Sequence, residues 1–172
     1  MSYTVEIVSL EAQPALAARF TARPEDLGRK FLELLPKILN VAEAADGEMA
    51  GAPFARYLGV QGTELEVEVG LPLSEPIDGD GEIVAKPLPA GPAAVTWHIG
   101  HYEELGKAHA ALAEWAKANS RTAAGGPWEV YFSDPADDDD PKGWRTQVVL
   151  PLQPESDGVK PSSGGDSPET SA

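Results

Sequence analysis

A chain of 172 residues, 42% of them hydrophobic, has room for one compact domain with one sizeable core. Its formal net charge of −15, from 28 acidic and 13 basic side chains, argues against phosphate-backbone binding, which needs Lys and Arg, and favours cations over anions as ligands. There is no cysteine, so neither a disulfide framework nor a thiolate metal site is available.

The N-terminus, "MSYTVEIVSL", lacks a basic region ahead of an apolar one, and no run of ~18 apolar residues occurs, so a cytoplasmic protein is expected. "YTVEIVSL" and "PALAARFTA" read as strands. From Pro24 to Gly47 the apolar residues Leu27, Phe31, Leu34, Ile38 and Val41 recur at helical spacing, with Pro24 suited to the first turn and Gly47 to the end. Pro36 removes a backbone donor and is expected to kink or tighten this helix. "PFARYLGV" and "TELEVEVGLPL" follow as strands. In the second, Glu64, Glu66 and Glu68 alternate with Leu65, Val67 and Val69 and read as a solvated face, with Glu66 reaching a cleft if that face is concave. "DGDGE", from Asp78, fails as an EF-hand because Pro89 stands where the twelfth-position Glu belongs.

The second half repeats the order: strand "AAVTWHIG", helix "YEELGKAHAALAEWAKAN", strands "WEVYFSDP" and "WRTQVVLPL". Leu105, Ala108, Leu112 and Trp115 form that helix's buried stripe. Two strand-helix-strand-strand modules related by a pseudo-twofold are therefore expected. They make an α+β fold with helices on one face of an antiparallel sheet, the other face forming a cleft, and a ligand site between the modules. A core closed within one chain makes a monomer the default, with strand edges or outer helix faces left for a dimer.

The letters HIGH at His98 to His101 match a synthetase nucleotide signature, but the surrounding chain has neither the βαβ domain nor the second, lysine-rich signature. The segment's expected job is mechanical, Gly100 releasing the strand and Tyr102 anchoring the next helix. Two histidines without cysteine, and His109 along the following helix, do not amount to a zinc site, so no metal or cofactor is expected. "DPADDDDPKG", Asp134 to Gly143, reads as an exposed acidic loop; its consecutive Asp137 to Asp140 lack EF-hand alternation. The last twenty residues are rich in Pro, Gly, Ser and acid, so the expected division is a domain over 1–152 and a disordered acidic tail over 153–172.

Within "PWEVYFSDP", Glu129 and Tyr131 point to one side of a strand, and Trp128, Val130 and Phe132 to the other. If the second set packs on the helices, the first lines the cleft. A carboxylate among aromatic rings is destabilised by desolvation, and a bound cation relieves that penalty while gaining cation–π attraction. Three plainer roles stand beside this one. Glu129 pairs across strands with Arg145; Tyr57 and Tyr131 are rim residues with wet hydroxyls; Trp97 and Trp115 are core, because each continues an apolar periodicity.

Taken in order, "PFARYLG", "LEVEVGLPL", "HIGHYEELGKAHAALAEW", "PWEVYFSDP" and "WRTQVVLPL" resemble the GyrI-like small-molecule-binding family, known also as the effector-binding domain of AraC-type and BmrR-type bacterial activators. The resemblance covers about residues 3 to 152. It implies an aromatic-lined pocket between the modules with the acidic role on Glu129, and with Tyr57 and Tyr131 at positions commonly aromatic. Trp97 and Gln147 complete the candidate ligand-binding set. Gln147 stands where relatives often carry Glu, which removes one negative charge and weakens the case for dications. In activators a helix-turn-helix segment precedes this domain; here the domain begins at about residue 3, so it is expected to stand alone, without direct nucleic-acid or membrane contact.

Three functions are consistent with the resemblance. One is sensing or sequestration of lipophilic, cationic or aromatic drugs or metabolites. A second is hydrolysis of cyclopropane-containing DNA-alkylating natural products, with Glu129 as general base and Tyr57 as proton donor. The third is a protein-interaction role like that of the gyrase-inhibitor relative.

Overall fold

A computed structural model describes residues 3–133 and 140–154. The expected acidic loop falls largely outside these residues, and the expected tail does so from residue 155 onward. Among the described residues there are eight strands, β1 (Glu6–Leu10), β2 (Ala15–Ala22), β3 (Phe54–Gln61), β4 (Glu64–Pro72), β5 (Ile83–Ala85), β6 (Gly91–Ile99), β7 (Trp128–Tyr131) and β8 (Arg145–Pro151). Two α-helices accompany them, α1 (Leu27–Ala44) and α2 (Leu105–Ala118). The strands form one antiparallel sheet in the order β1-β6-β8-β7-β3-β4-β2-β5. None of the described helices is long and apolar enough to cross a membrane.

The expected repeat is present as β2-α1-β3-β4 and β6-α2-β7-β8. The two modules meet where β3 pairs with β7, Ala55 lying directly opposite Glu129. The joint is bonded in both directions: Tyr57 N–H donates to the Pro127 carbonyl (2.9 Å) and Tyr131 N–H to the Pro53 carbonyl (3.0 Å). β5, too short and polar-flanked to stand out by periodicity, adds to the outer side of β2. The turn before it is closed by paired backbone bonds between Asp80 and Ile83 around Gly81, which takes up the "DGDGE" stretch.

Both helices start and stop alike. Each follows a 3-10 turn, Pro24–Asp26 and Tyr102–Glu104. At the end of α1, Gly47 N–H reaches the Ala42 carbonyl (2.8 Å) and Asp46 N–H the Glu43 carbonyl (3.1 Å); at the end of α2, Arg121 reaches Ala116 (2.8 Å) and Ser120 reaches Lys117 (3.2 Å). This pairing is a Schellman closure, which needs one left-handed residue. Asp46 (φ 53°) and Ser120 (φ 55°) hold that place, so Gly47 comes one residue after the strained position. Asp46→Gly or Ser120→Gly is expected to stabilise the fold by about 0.5–1 kcal/mol, seen as a higher urea midpoint at unchanged slope. Pro36 does not interrupt α1. It lies on the exposed side, so the Leu32 carbonyl that loses its donor is on the solvent side as well.

The sheet is strongly curved, and the chain's own connections require it. β1 and β2 are six strand positions apart, roughly 29 Å in a flat sheet, yet residues 11–14 that join them span at most about 18 Å. The edges therefore curl toward each other on the helix-free face. There Ala15 of β2, Ala93 and Val95 of β6, Phe54 of β3, Trp128 of β7, Val149 of β8 and Leu88 share one core. On the opposite, convex face α1 covers the first module through Leu34, Ile38 and Ala42, and α2 covers the second through Leu105, Ala108, Leu112 and Ala116.

Candidate ligand site

Which face carries Glu129 follows from this packing and reverses one expectation. Trp128 and Val130 belong to the concave face, whereas Glu129 and Tyr131 lie beneath the helices. The reason is strand parity at the joint. Glu129 shares a side with Ala55 and Val148, both helix-covered, and no residue of α1 or α2 reaches Trp128's side. The carboxylate thus sits between the two helices, over the seam of the two modules.

Glu129 is 3% exposed and accepts three hydrogen bonds. Its Oε1 receives the hydroxyls of Tyr57 (3.0 Å) and Tyr131 (2.6 Å), and its Oε2 faces His109 Nε2 of α2 at 2.7 Å. Against an ionised carboxylate, which only accepts, Nε2 is the donor. The two tyrosines are equivalent by the repeat, each being the fourth residue of its strand, β3 or β7, while the counterpart of Glu129 in β3 is Ala55. One carboxyl group therefore lies on an otherwise twofold frame.

Further aromatic rings pack on the groups that hold the carboxylate. Phe31 of α1 meets Tyr131 edge-on at 5.2 Å, and Tyr102 also meets Tyr131, at 5.7 Å. Trp144 lies 4.8 Å from Tyr102, and the Tyr57 ring is perpendicular to His109 at 5.7 Å. Burial, and then the charge of Glu129, push the phenols of Tyr57 and Tyr131 well above their ordinary value. Both consequently stay protonated and remain donors at any physiological pH. Directly across from Tyr131 on β8, Thr146 is fully buried, and its hydroxyl finds no partner among the described residues.

Of the candidate ligand residues, the structure brings Tyr57, Glu129 and Tyr131 together. Trp97 and Gln147 lie on the other face. Gln147 lines a concave groove of about 760 Å³ with Leu10, Phe54, Leu88, Trp128 and Phe132. Trp97 is 38% exposed rather than core; its ring tilts against Phe132 at 5.1 Å, and the Arg145 guanidinium covers it at 4.7 Å. That contact also overturns the Glu129–Arg145 pair, because Arg145 is three residues from Glu129's partner Val148 and so points to the opposite face. The rim reading of the tyrosines is corrected too, since both hydroxyls are bound to Glu129.

The glutamate row of β4 is solvated only at Glu64. Glu66 pairs with Arg19, and buried Glu68 pairs with Lys86 on the concave side. The HIGH segment is mechanical, as expected. His101 caps the next helix by accepting Glu103 N–H (3.1 Å), and the Tyr102 hydroxyl ties it to the Ser133 carbonyl (3.1 Å). His98 is buried between the Tyr3 hydroxyl and the His101 carbonyl.

His109, Phe31, Tyr102 and Trp144 were not selected from the sequence as site residues. A signal for His109 existed, since it lies four residues after Leu105 and three before Leu112, on the buried stripe itself.

A family model of the GyrI-like small molecule binding domain matches residues 3–153. Among solved structures, the C-terminal domain of EcmrR superposes with a TM-score of 0.79 at 20% identity, over 90% of this chain and 100% of that one. Against EcmrR in its DNA complex the TM-score is 0.77 at 19% identity over 89% of this chain, which spans 58% of that polypeptide. A hydrolase from Listeria innocua (TM-score 0.60, 10% identity, 88% and 93% of the two chains) and SAV2435 bound to tetraphenylphosphonium (0.58, 10%, 92% and 98%) share the architecture. At such identities the likeness is one of fold. No curated protein sequence matches the chain.

Proposed function

The chain belongs to the GyrI-like small-molecule-binding family, and from that premise we propose that it binds lipophilic cations with delocalised charge at the Glu129 cluster, sensing or sequestering them. The observation that carries this reading is a buried carboxylate held by two tyrosine hydroxyls and a histidine, with Phe31 and Tyr102 packed against Tyr131. Three of its roughly four acceptor positions are already used, so an ammonium rich in N–H donors gains little there. A bulky cation without donors loses little hydration on entry and is attracted by the charge and by the faces of the rings. The tetraphenylphosphonium found in SAV2435 is an ion of this kind.

Tryptophan fluorescence tests the proposal, because Trp144 lies against Tyr102, which in turn packs on Tyr131. Tetraphenylphosphonium is expected to quench saturably, and neutral triphenylphosphine oxide to bind at least about tenfold more weakly, a difference of about 1.4 kcal/mol. Equal binding of the two, or saturation by neither, would remove the charge-recognition reading.

A hydrolytic reading is supported by one arrangement in the same place. Glu129 is hydrogen-bonded to tyrosines that remain protonated, so a general base and a proton donor are adjacent, and one fold neighbour is a hydrolase. Mass spectrometry of a cyclopropane-containing alkylator incubated with the protein separates turnover from stoichiometric protection.

A further inference from the structure

Glu129 already has within reach a side chain that becomes a cation on protonation. His109 Nε2 stands 2.7 Å from Oε2, and histidine is the side chain whose charge ordinarily changes between pH 5 and 8. With His109 neutral, the cluster carries the charge of Glu129 alone, since Tyr57 and Tyr131 stay protonated. With His109 protonated, the cluster is neutral before any ligand arrives. Resting on the cation-binding reading above, we propose that His109 is the built-in counter-cation of the site: its proton and a cationic ligand compete for one carboxylate, so that binding a cation expels one proton.

The geometry specifies which proton leaves. The Nε2–H to Oε2 bond serves both forms of the imidazole, so it persists, and the proton released to water is the one on Nδ1. His109 is positioned for this exchange because its side chain is about a quarter exposed while the Glu129 side chain is almost wholly buried.

Among the described residues the surroundings contain no other group suited to the part. From β7 His109 faces Glu129, to which Tyr131 also donates, and from β3 it faces Tyr57. Beneath α2, β6 contributes one titratable side chain, His98. Its Nε2 lies against the His101 carbonyl (2.9 Å) and its Nδ1 against the Tyr3 hydroxyl (3.0 Å), so its neutral form is already satisfied and Glu129 is not among its partners. On α2 itself Lys107 is paired with Glu104, and Glu114 and Lys117 are exposed. On α1, Arg29 and Lys30 pair with Glu33. Gln in place of His109 keeps an N–H donor for Oε2 and removes the titration.

The test is the affinity for tetraphenylphosphonium between pH 5 and 8, on wild type and His109→Gln, with triphenylphosphine oxide as the neutral control. Wild-type affinity is expected to rise as the pH is raised from 5 to 8, while His109→Gln is flat and binds the cation more tightly than wild type at the acid end of that range. Calorimetry of the wild type in buffers of different ionisation enthalpy should show proton release on binding at the acid end of the range, which does not depend on the variant folding. A flat wild-type profile without proton release, or a slope that survives in His109→Gln, overturns the proposal while leaving cation binding intact. If tetraphenylphosphonium binds at no pH, the cation reading and this inference fall together.

Discussion

Glu129→Gln is expected to weaken tetraphenylphosphonium binding on the order of 10- to 100-fold, to change the binding of triphenylphosphine oxide by less than about threefold, and to leave thermal stability unchanged or raised. The substitution is isosteric. Tyr57 and Tyr131 can still donate to a side-chain carbonyl oxygen in the place of Oε1, so the two hydroxyls stay bound and the aromatic walls stay where they are. What disappears is the buried charge of this cluster, whose desolvation opposes folding. A structural role and a recognition role therefore predict opposite results. If Glu129 is present to hold the modules together, the variant melts earlier and both ligands are lost in parallel; if it is present to attract a cation, the melting temperature holds and only the cation is lost.

The repeat was legible because it is written in pattern. Two helices with apolar stripes, each followed by two strands ending in Leu-Pro-Leu, specify antiparallel modules whatever the details of their sides. The alternation in "WEVYF" was legible as well, placing Glu129 and Tyr131 together and apart from Trp128. Alternation states that two sets of residues face opposite ways; it does not state which way is covered. Here both sets are largely buried, one by helices and one by the curl of the sheet, so hydrophobicity alone could not orient the strand. The curl itself depends on how the first edge joins β2 six strands away, a property of topology that local periodicity does not carry. This is why Trp97 and Gln147, correctly placed on strands, fall on the wrong side for Glu129. His109 was passed over because its spacing was weighed for metal ligation, whereas its partner is a carboxylate twenty residues on, met only when β7 passes beneath α2.

Gly126→Ala is expected to destabilise the protein by about 3 kcal/mol or more and to weaken cation binding with it. A Cβ at this position would lie 1.9 Å from the Tyr57 carbonyl oxygen and 2.9 Å from its carbonyl carbon. Those are backbone atoms of the seam, so no side-chain rotation relieves the clash. The same few residues make the module joint: the Gly126 carbonyl accepts from Arg56 (3.1 Å), and the Pro127 carbonyl accepts the Tyr57 N–H (2.9 Å). Pushing Gly126 away thus moves Tyr57, and with it one of the two hydroxyls on Glu129. Gly28→Ala in α1 supplies the control, since its Cβ would meet nothing within 4 Å and the exchange favours the helix by up to about 1 kcal/mol. Urea denaturation of the two variants, with tetraphenylphosphonium titrations at low denaturant where each remains folded, checks both effects. A Gly126→Ala protein of wild-type stability would mean that the seam yields readily. One that is destabilised yet binds with full affinity would mean that Tyr57 does not help to place the charge of Glu129.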